Sequence, residues 1–226
     1  GTNISIGSQG IIIDGTEDQK NHYLPQLASG QIIGSFALTE PGSGSDAASI
    51  RTTATRAGDG YVINGRKRFI TNAPEAGLFT VFARTSPPET GTRGISAILV
   101  PADTPGLEVG PHDKKMGQQG AHTADVTFND CRVNADALLG GAEGIGFKTA
   151  MKVLDRGRIH IGAVCVGLAE RLIQDSLDYA LEREQFGQPI VEFQLVQAML
   201  AESKTEAFAA RCMVEETARK RDAGEP

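Results

Sequence analysis

Thr39-Glu40-Pro41-Gly42-Ser43-Gly44-Ser45-Asp46 is a loop rich in proline and glycine, and it directly follows an apolar run, residues 32–38, that predicts a β-strand. Pro41 removes a backbone donor and stiffens the turn. Gly42 and Gly44 can take positive φ at little steric cost, and their small size lets a ligand approach the main chain. Successive N–H groups in such a turn form a concavity that suits phosphate or carbonyl oxygens.

The same loop has a simpler interpretation as an ordinary connection between strands, because proline, glycine, serine and aspartate dominate turns of every kind. The hydroxyls of Thr39, Ser43 and Ser45 can donate or accept hydrogen bonds in either case. A dinucleotide-binding fingerprint is excluded, since the three-glycine spacing is missing and no helix is predicted to follow. Composition alone therefore leaves the turn and the ligand-binding loop both open.

Composition limits the class of protein. The 226 residues suffice for one large domain or two small ones with a sizeable core. A net charge of −6 gives no basic footprint for nucleic acid, and no run of 18 apolar residues predicts a membrane span. No signal peptide is visible. The start, Gly1-Thr2-Asn3, is typical of a fragment, so an upstream targeting segment stays possible.

The three cysteines are odd in number and widely spaced, at Cys131, Cys165 and Cys212. This spacing predicts neither a disulfide framework nor a metal site. Reduced, buried thiols are expected, which suits a bacterial cytoplasm or a mitochondrial matrix.

Residues 1–30 are predicted to be helical. Thr16 and Gln19 have the spacing of a capping box, in which each side chain bonds the other residue's backbone N–H. Gly30 is a plausible helix stop. The stretch buries too little to fold alone and is interpreted as the end of an N-terminal helical domain.

Residues 31–138 are predicted to be strands, because β-branched runs alternate with short proline and glycine turns. Gly58-Asp59-Gly60 predicts one turn, and Asn64-Gly65 is a strong type I′ hairpin signal. Strands at this spacing favour a sandwich or barrel. The predicted strands are residues 49–56, 61–63, 69–71, 78–84, 94–100, 107–110 and 124–128.

Residues 139–226 are predicted to be two helices, the first from Gly146 to Glu184, because apolar residues recur at steps of three and four. The segment Gln185–Pro189 breaks the run. Two such helices cannot bury their apolar faces against each other alone, which favours a larger bundle.

Two strings carry a resemblance to a known family: FALTEPGSGSD at residues 36–46 and NGRKRFITNA at residues 64–73. Together they closely resemble the acyl-CoA dehydrogenase family, and the resemblance continues through REQFG at residues 183–187. It implies an α+β multidomain fold with a central antiparallel β-barrel or sandwich. Residues 1–30 would end an N-terminal helical domain, residues 31–138 would form the middle domain that binds flavin and acyl-CoA, and residues 139–226 would be the first two helices of a C-terminal four-helix bundle.

The resemblance also implies FAD as cofactor. Leu38 and Thr39 would touch the isoalloxazine, with Thr39 bonding its pyrimidine side, while Phe69 packs on one ring face and Thr71 lies near N5. From the residues alone, an aromatic such as Phe69 in a strand is more often a core residue, and Thr71 could equally be a hydroxyl that faces solvent. Many relatives have tryptophan at the position of Phe69. The implied cofactor-binding residues are Phe36, Leu38, Thr39, Gly44, Ser45, Phe69, Ile70, Thr71, Arg183, Gln185, Phe186 and Gln194.

Acyl-CoA is the implied substrate, with Ser45, Asp155 and Arg158 as its contacts. Asp155 and Arg158 are spaced i, i+3, so an ordinary ion pair on a helix surface remains an alternative. Some relatives carry their catalytic glutamate where this chain has Gly157, and glycine cannot be a base. The catalytic base is therefore unknown here and is expected beyond Pro226, while His160 is interpreted as a packing or surface residue.

The turn Arg183-Glu184-Gln185-Phe186-Gly187 forms the other family signature. In relatives this turn, with Gln194, reaches the FAD of a neighbouring subunit, which implies a homotetramer built as a dimer of dimers. Arg183 has a simpler interpretation as a cation at the negative end of a helix dipole, although that does not explain Phe186-Gly187.

The implied activity is α,β-dehydrogenation of an acyl-CoA thioester to the trans-2-enoyl-CoA, a reaction of β-oxidation. A glutamate would remove the α proton while the β hydride passes to flavin N5, and an electron-transfer flavoprotein would take the electrons. An acyl-CoA oxidase and a non-catalytic relative that binds flavin or CoA are the alternatives. No nucleic acid, membrane or metal ion is expected as a partner.

Overall fold

The computed structural model describes residues 6–225, and its chain divides into two compact units, the first ending at Leu154 and the second beginning at Asp155. The helices are α1 (Ser8–Asp14), α2 (Glu17–Ser29), α3 (Gly146–Glu182) and α4 (Gln194–Asp222). The strands are β1 (Gly34–Ala37), β2 (Thr53–Ala57), β3 (Gly60–Thr71), β4 (Leu78–Arg84), β5 (Ile95–Pro101), β6 (Leu107–Val109), β7 (Thr123–Asn134), β8 (Glu184–Gln185) and β9 (Gln188–Pro189).

Helix α2 begins and ends as its sequence predicts. The Gln19 N–H donates to Thr16 Oγ1 at 3.2 Å and the Thr16 N–H donates to Gln19 Oε1 at 3.1 Å, so the capping box is complete. Gly30 ends the helix in the left-handed conformation, with φ +76°. Gln19 Nε2 also donates to the carbonyl of Leu138 at 2.9 Å, which ties the helix to the loop after β7. Residues 1–5 of the predicted helical stretch lie outside the described residues.

The first unit is built on one seven-stranded mixed sheet. Strands β2, β3, β7 and β6 pair antiparallel in that order, and β5 pairs antiparallel with β4. Strand β1 pairs parallel with β4 from Gly34↔Leu78 to Ala37↔Val81, and β2 touches β4 in parallel at Thr53↔Arg84. Because the whole β2–β3 hairpin lies between β1 and β4 in the chain, the connection is long enough for a parallel pair. The predicted fold class is confirmed, with a sheet that is mixed rather than wholly antiparallel.

Strand β4 is buried on both faces, and its alternating side chains belong to two separate cores. Phe79 and Val81 pack among the strands, with residues of β3 and β7. Leu78 and Phe82 pack on the other face, against α1, α2 and the first turns of α3. A strand covered on both faces has a nearly continuous apolar sequence, and residues 78–83 are apolar except for Thr80.

The hairpin predicted at Asn64-Gly65 is wrong, because both residues lie inside β3. The β2–β3 hairpin turns instead at Gly58-Asp59, and the β3–β7 register shifts between Ile63 and Gly65, as at a β-bulge. Gly65 has φ +150°, and a Cβ there would lie 2.5 Å from Thr52 Oγ1. Between Ile63 and Gly65, β3 advances two residues and β7 three, so the extra residue of the bulge lies on β7. Glycine at position 65 is explained by its positive φ and by the close approach of Thr52.

The second unit contains most of α3, a short β8–β9 hairpin and α4. Arg211 on α4 is paired with Glu170 on α3 and, at 3.2 Å, with Glu215. The apolar faces stay largely uncovered, as two helices alone predict. The exposed residues include Ile161, Leu168, Leu172, Leu195, Met199, Phe208 and Met213.

The cysteine prediction holds only in part. Cys131 is buried, and burial raises the pKa of its thiol to about 11. Cys165 and Cys212 are exposed, contrary to expectation, because they lie on the sparsely covered helices of the second unit. Within residues 6–225, no helix is long and apolar enough to cross a bilayer.

The predicted division into residues 1–30, 31–138 and 139–226 stays a prediction.

Candidate functional site

The ends of β1 and β3 are joined by hydrogen bonds. The Arg68 N–H donates to the carbonyl of Thr39 at 2.8 Å, and Ser35 Oγ donates to the carbonyl of Thr71 at 2.7 Å. These two bonds bring Thr39 beside the segment 68–71. The structure thus brings together parts of the two sequence strings, whose nearest members, Asp46 and Asn64, are 18 residues apart in the chain.

Phe69 lies at the bulge where the β3–β7 register shifts between Lys67 and Ile70. It has φ +59°, an uncommon left-handed conformation for an aromatic residue, and its side chain is 59% exposed. Such backbone costs on the order of 1–3 kcal/mol and persists where surrounding structure enforces it. The Arg68 guanidinium lies 4.4 Å from the ring centroid. The bulge therefore turns the Phe69 ring out of the sheet, and the interpretation of Phe69 as a core aromatic is excluded.

The other predicted contacts near Phe69 differ in what they can offer a ligand. Thr71 and Thr39 are half-buried, and each carries a hydroxyl group. Phe36, Leu38 and Ile70 are buried, and their side chains belong to the cores. The main chain of these three residues is therefore what a bound molecule could reach.

The loop after Thr39 is closed by its own backbone. The Glu40 N–H donates to the Ser43 carbonyl at 2.9 Å and the Ser43 N–H returns a bond of 3.1 Å to Glu40. Gly44 and Ser45 are exposed. Neither Gly42 nor Gly44 adopts positive φ, and no atom lies within 4 Å of a Cβ built on either. The fold itself does not need glycine at these two positions, so the free space there is available to a ligand.

A buried ion pair lies beneath this loop, and sequence reasoning missed it. Lys67 is 0% exposed, and its Nζ donates to Glu40 Oε1 at 2.8 Å, to the carbonyl of Phe82 at 2.6 Å and to that of Leu38 at 3.1 Å. The Glu40 carboxylate also accepts the N–H groups of Arg51 at 2.7 Å and Thr52 at 2.9 Å. The β-strand alternation that places Ile63 inward continues unbroken to Lys67, so it could have indicated that Lys67 is buried.

The two charges of this pair have shifted pKa values. Burial lowers the pKa of Lys67 to about 8, against the opposing pull of Glu40. Burial also raises the pKa of Glu40, but the charge and hydrogen bond of Lys67, with the bonds from Thr52 and Arg51, hold that pKa below its ordinary value.

Asp125 anchors the strand that carries Phe69. Arg68 Nη1 donates to Asp125 Oδ1 at 2.6 Å and Arg66 Nε donates to Asp125 Oδ2 at 2.8 Å. Although burial raises the pKa of Asp125, the two guanidinium groups hold it below its ordinary value. The paired Arg68 is thereby fixed over the Phe69 ring.

The remaining predicted residues lie in the second unit. Asp155 and Arg158 form an exposed i, i+3 ion pair on α3, with Gly157 half-buried and His160 exposed. The structure therefore contains the surface pair that the sequence left as an alternative.

The turn between α3 and α4 presents Phe186, which is 95% exposed and has φ +55°. Its ring meets Phe193 edge-on at 6.2 Å. Arg183, Gln185 and Gln194 are exposed around the same turn. These turn residues lie near one another, whereas Asp155 and Arg158 lie on α3 about 36 Å or more along the helix from Glu182, at about 1.5 Å per residue.

The chain belongs to the acyl-CoA dehydrogenase family. Residues 35–131 match the model of the acyl-CoA dehydrogenase middle domain, and residues 144–226 match that of the acyl-CoA dehydrogenase C-terminal domain. Together the two matches account for most of the chain.

Named relatives agree with this assignment. Acryloyl-CoA reductase (NADH) of Anaerotignum propionicum is 47% identical over 98% of this chain and 56% of its own length. The structure of butyryl-CoA dehydrogenase from Megasphaera elsdenii has a TM-score of 0.95, with 40% identity over 99% of this chain and 58% of that one. An acyl-CoA dehydrogenase from Bacillus anthracis, solved in complex with FAD, has a TM-score of 0.88, with 40% identity over 93% of this chain and 36% of that one. The chain spans about half the length of the curated relatives it matches.

Proposed function

We propose that this protein is an FAD-dependent acyl-CoA dehydrogenase, which converts an acyl-CoA thioester to the trans-2-enoyl-CoA. The observation that carries the proposal is the exposed, left-handed Phe69 beside Thr39 and Thr71, in a chain of this family. An aromatic ring turned outward at a bulge, with half-buried hydroxyls next to it, suits a flat heteroaromatic ligand.

The residues of the first unit fit a flavin. Phe69 would cover one ring face, while Thr39 and Thr71 supply hydroxyls for the ring edge, and Gly44 and Ser45 leave room along the loop. Phe36, Leu38 and Ile70 would contribute through their main chain. When bound, FAD supplies a two-electron acceptor for a hydride, which no side chain of the protein provides.

The thioester substrate is assigned to Ser45, Asp155 and Arg158. A guanidinium suits the phosphates of CoA, and Asp155 keeps the Arg158 side chain oriented. Thioester resonance stabilises the α carbanion and so lowers the pKa of the α C–H group. A carboxylate base would then remove the α proton. The chain spans about half the length of its relatives, and the proposal places that base in sequence beyond Pro226.

Assembly and electron transfer complete the proposal. Arg183, Gln185, Phe186 and Gln194 would contact the FAD of a neighbouring subunit in a homotetramer. The almost fully exposed Phe186, with its left-handed backbone, supports this, because a ring so placed gains burial only from contacts outside residues 6–225. Electrons would pass to an electron-transfer flavoprotein.

Anaerobic titration of the complete gene product with acyl-CoAs of increasing chain length tests the activity. Bleaching of the flavin absorbance by at least one of them is expected. A flavin that no acyl-CoA bleaches would contradict the dehydrogenase and favour a non-catalytic relative. Rapid reoxidation of the bleached protein by oxygen would favour an oxidase.

One relative favours a second candidate, since acryloyl-CoA reductase (NADH) is 47% identical to this chain. The chemistry is the same in reverse, and the electron donor sets the direction. Oxidation of NADH that depends on added acryloyl-CoA and an electron-transfer flavoprotein would assign the reductive direction.

A further inference from the structure

The Leu38–Thr39 peptide unit is held from behind by a buried charge. Lys67 Nζ donates to the carbonyl of Leu38 at 3.1 Å, and Lys67 is itself fixed by Glu40 at 2.8 Å. Glu40 in turn is fixed by the N–H groups of Arg51 and Thr52. The carbonyl of Leu38 thus belongs to a network whose members are all buried or part of the main chain.

The other end of the same peptide unit is the Thr39 N–H. In a trans peptide the C=O and N–H bonds point in opposite directions, so fixing the Leu38 carbonyl toward Lys67 fixes the Thr39 N–H away from it. Within residues 6–225, no hydrogen bond is made by the Thr39 N–H. Thr39 is half-buried and lies at the site assigned to the flavin, where this donor is free to bind a ligand.

We propose that Lys67, held by Glu40, is a positioning residue that orients and polarises the Leu38–Thr39 peptide so that the Thr39 N–H stabilises negative charge on the bound flavin. This inference rests on the proposed function, since it needs FAD at the Thr39–Phe69 site. It goes further by assigning a role to a charge that touches neither cofactor nor substrate.

Electrostatics gives the expected direction. A hydrogen bond from a buried ammonium strengthens the peptide dipole, and low surrounding polarity enlarges the effect. A stronger donor aimed at a group that gains negative charge favours the charged state. Reduction puts electrons into the ring, so Lys67 is expected to make reduction easier. Stability alone is a weak reason for the pair, because buried ion pairs often contribute little net stability.

The test compares Lys67→Met with wild type and with Lys152→Met as matched control. Lys152, like Lys67, is paired with a carboxylate, that of Asp14 at 2.8 Å, but Lys152 lies on α3 and is partly exposed. The readout is the reduction potential of the FAD bound to each purified protein, measured against redox dyes. Lys67→Met is expected to shift the two-electron reduction equilibrium about tenfold toward oxidised flavin, or about 30 mV. Lys152→Met should leave the potential unchanged.

A purely structural role would lower stability and flavin content without moving the potential of the flavin that stays bound. Wild-type potential in FAD-bound Lys67→Met would therefore overturn the inference. If that variant fails to fold, the flavin potential is measured in Glu40→Gln/Lys67→Met, which removes both charges, and the same shift is expected.

Wild-type protein labelled with ¹⁵N-threonine gives a measurement that needs no variant. The Thr39 amide resonance is expected to move downfield when FAD binds, and an unmoved resonance would also overturn the inference. Failure of the wild type to bind FAD at all would instead refute the proposed function.

Discussion

Ser35 Oγ on β1 donates a 2.7 Å hydrogen bond to the carbonyl of Thr71 at the end of β3. Ser35 is 0% exposed, so this bond is shielded from water. Since β1 and β3 are not neighbours in the sheet, this bond joins the two halves of the candidate site directly, as does the bond from the Arg68 N–H to the carbonyl of Thr39.

Ser35→Ala should therefore weaken both stability and the site. A lost buried hydrogen bond that leaves a carbonyl unpaired costs about 1–3 kcal/mol. Urea unfolding is expected to show that loss, together with weaker retention of FAD on dilution. Ser176→Ala is the control, because its exposed hydroxyl bonds only the carbonyl of Leu172 in its own helix. An unaltered unfolding midpoint in Ser35→Ala would contradict this role.

Phe69 and Phe79 should respond in opposite ways to truncation. Phe69→Ala is expected to cost at most about 1 kcal/mol of stability, since its exposed ring gives up only a cation–π contact with Arg68. Its FAD affinity should fall at least tenfold. Phe79 is 0% exposed, and Phe79→Ala should cost about 3–5 kcal/mol. Calorimetry with and without FAD separates the two effects, and equal affinity in Phe69→Ala and wild type would speak against the site.

Gly44 and Gly65 offer a second contrast. Gly44→Ala meets no atom and needs no positive φ, so the apoprotein should be unchanged or more stable by about 0.4–1 kcal/mol. Binding of FAD or acyl-CoA should weaken, because the methyl group takes up ligand space. Gly65→Ala must collide with Thr52 and is expected to destabilise the apoprotein by more than about 1 kcal/mol. Thermal unfolding and ligand titration of both variants check this, and unweakened binding in Gly44→Ala would contradict the loop's assignment.

Acid should remove the stability that ionised Glu40 contributes to the fold. Its folded-state pKa lies below the ordinary value of 4.5, so its stabilisation is present above pH 4.5 and is lost as pH falls through the lowered pKa. The variant Glu40→Gln/Lys67→Met should consequently lose less stability than wild type between pH 5.5 and 3.5. Urea unfolding at both pH values measures the difference. Asp14 and Asp125 have lowered pKa values as well and set the acid response common to both proteins. Parallel pH profiles would show that Glu40 contributes nothing.

Local signals in the sequence predicted those features that local physics determines. The Thr16–Gln19 capping box and the Gly30 stop depend on neighbours in the chain, and both appear as expected. The long helix α3 follows from its apolar period and lack of proline. The alternation of β-branched runs and turns was enough for the β-domain, and two strings of residues were enough for the family.

What the sequence could not supply depends on distant partners. Asn64-Gly65 lies inside β3, opposite a bulge of β7, where Asn64 bonds Asp130 on β7 and Gly65 packs on Thr52, both distant in the chain. The parallel pairing of β1 with β4 depends on how the β2–β3 hairpin is accommodated. The partners of Lys67 could not be recognised, because its three acceptors come from residues 38, 40 and 82.

The double-sided burial of β4 has a consequence for biosynthesis. Strands β1 and β5 pair with the strand within the sheet, whereas the cover of one of its faces includes Ala150 and Val153 at the start of α3. When a nascent chain has emerged only as far as β7, Leu78 and Phe82 are already outside the ribosome, but the residues of α3 that help to bury them are still inside it. Until residue 153 has emerged, the incomplete domain exposes apolar surface that chaperones and other nascent chains can bind. A pause of translation just before that point would prolong this exposure.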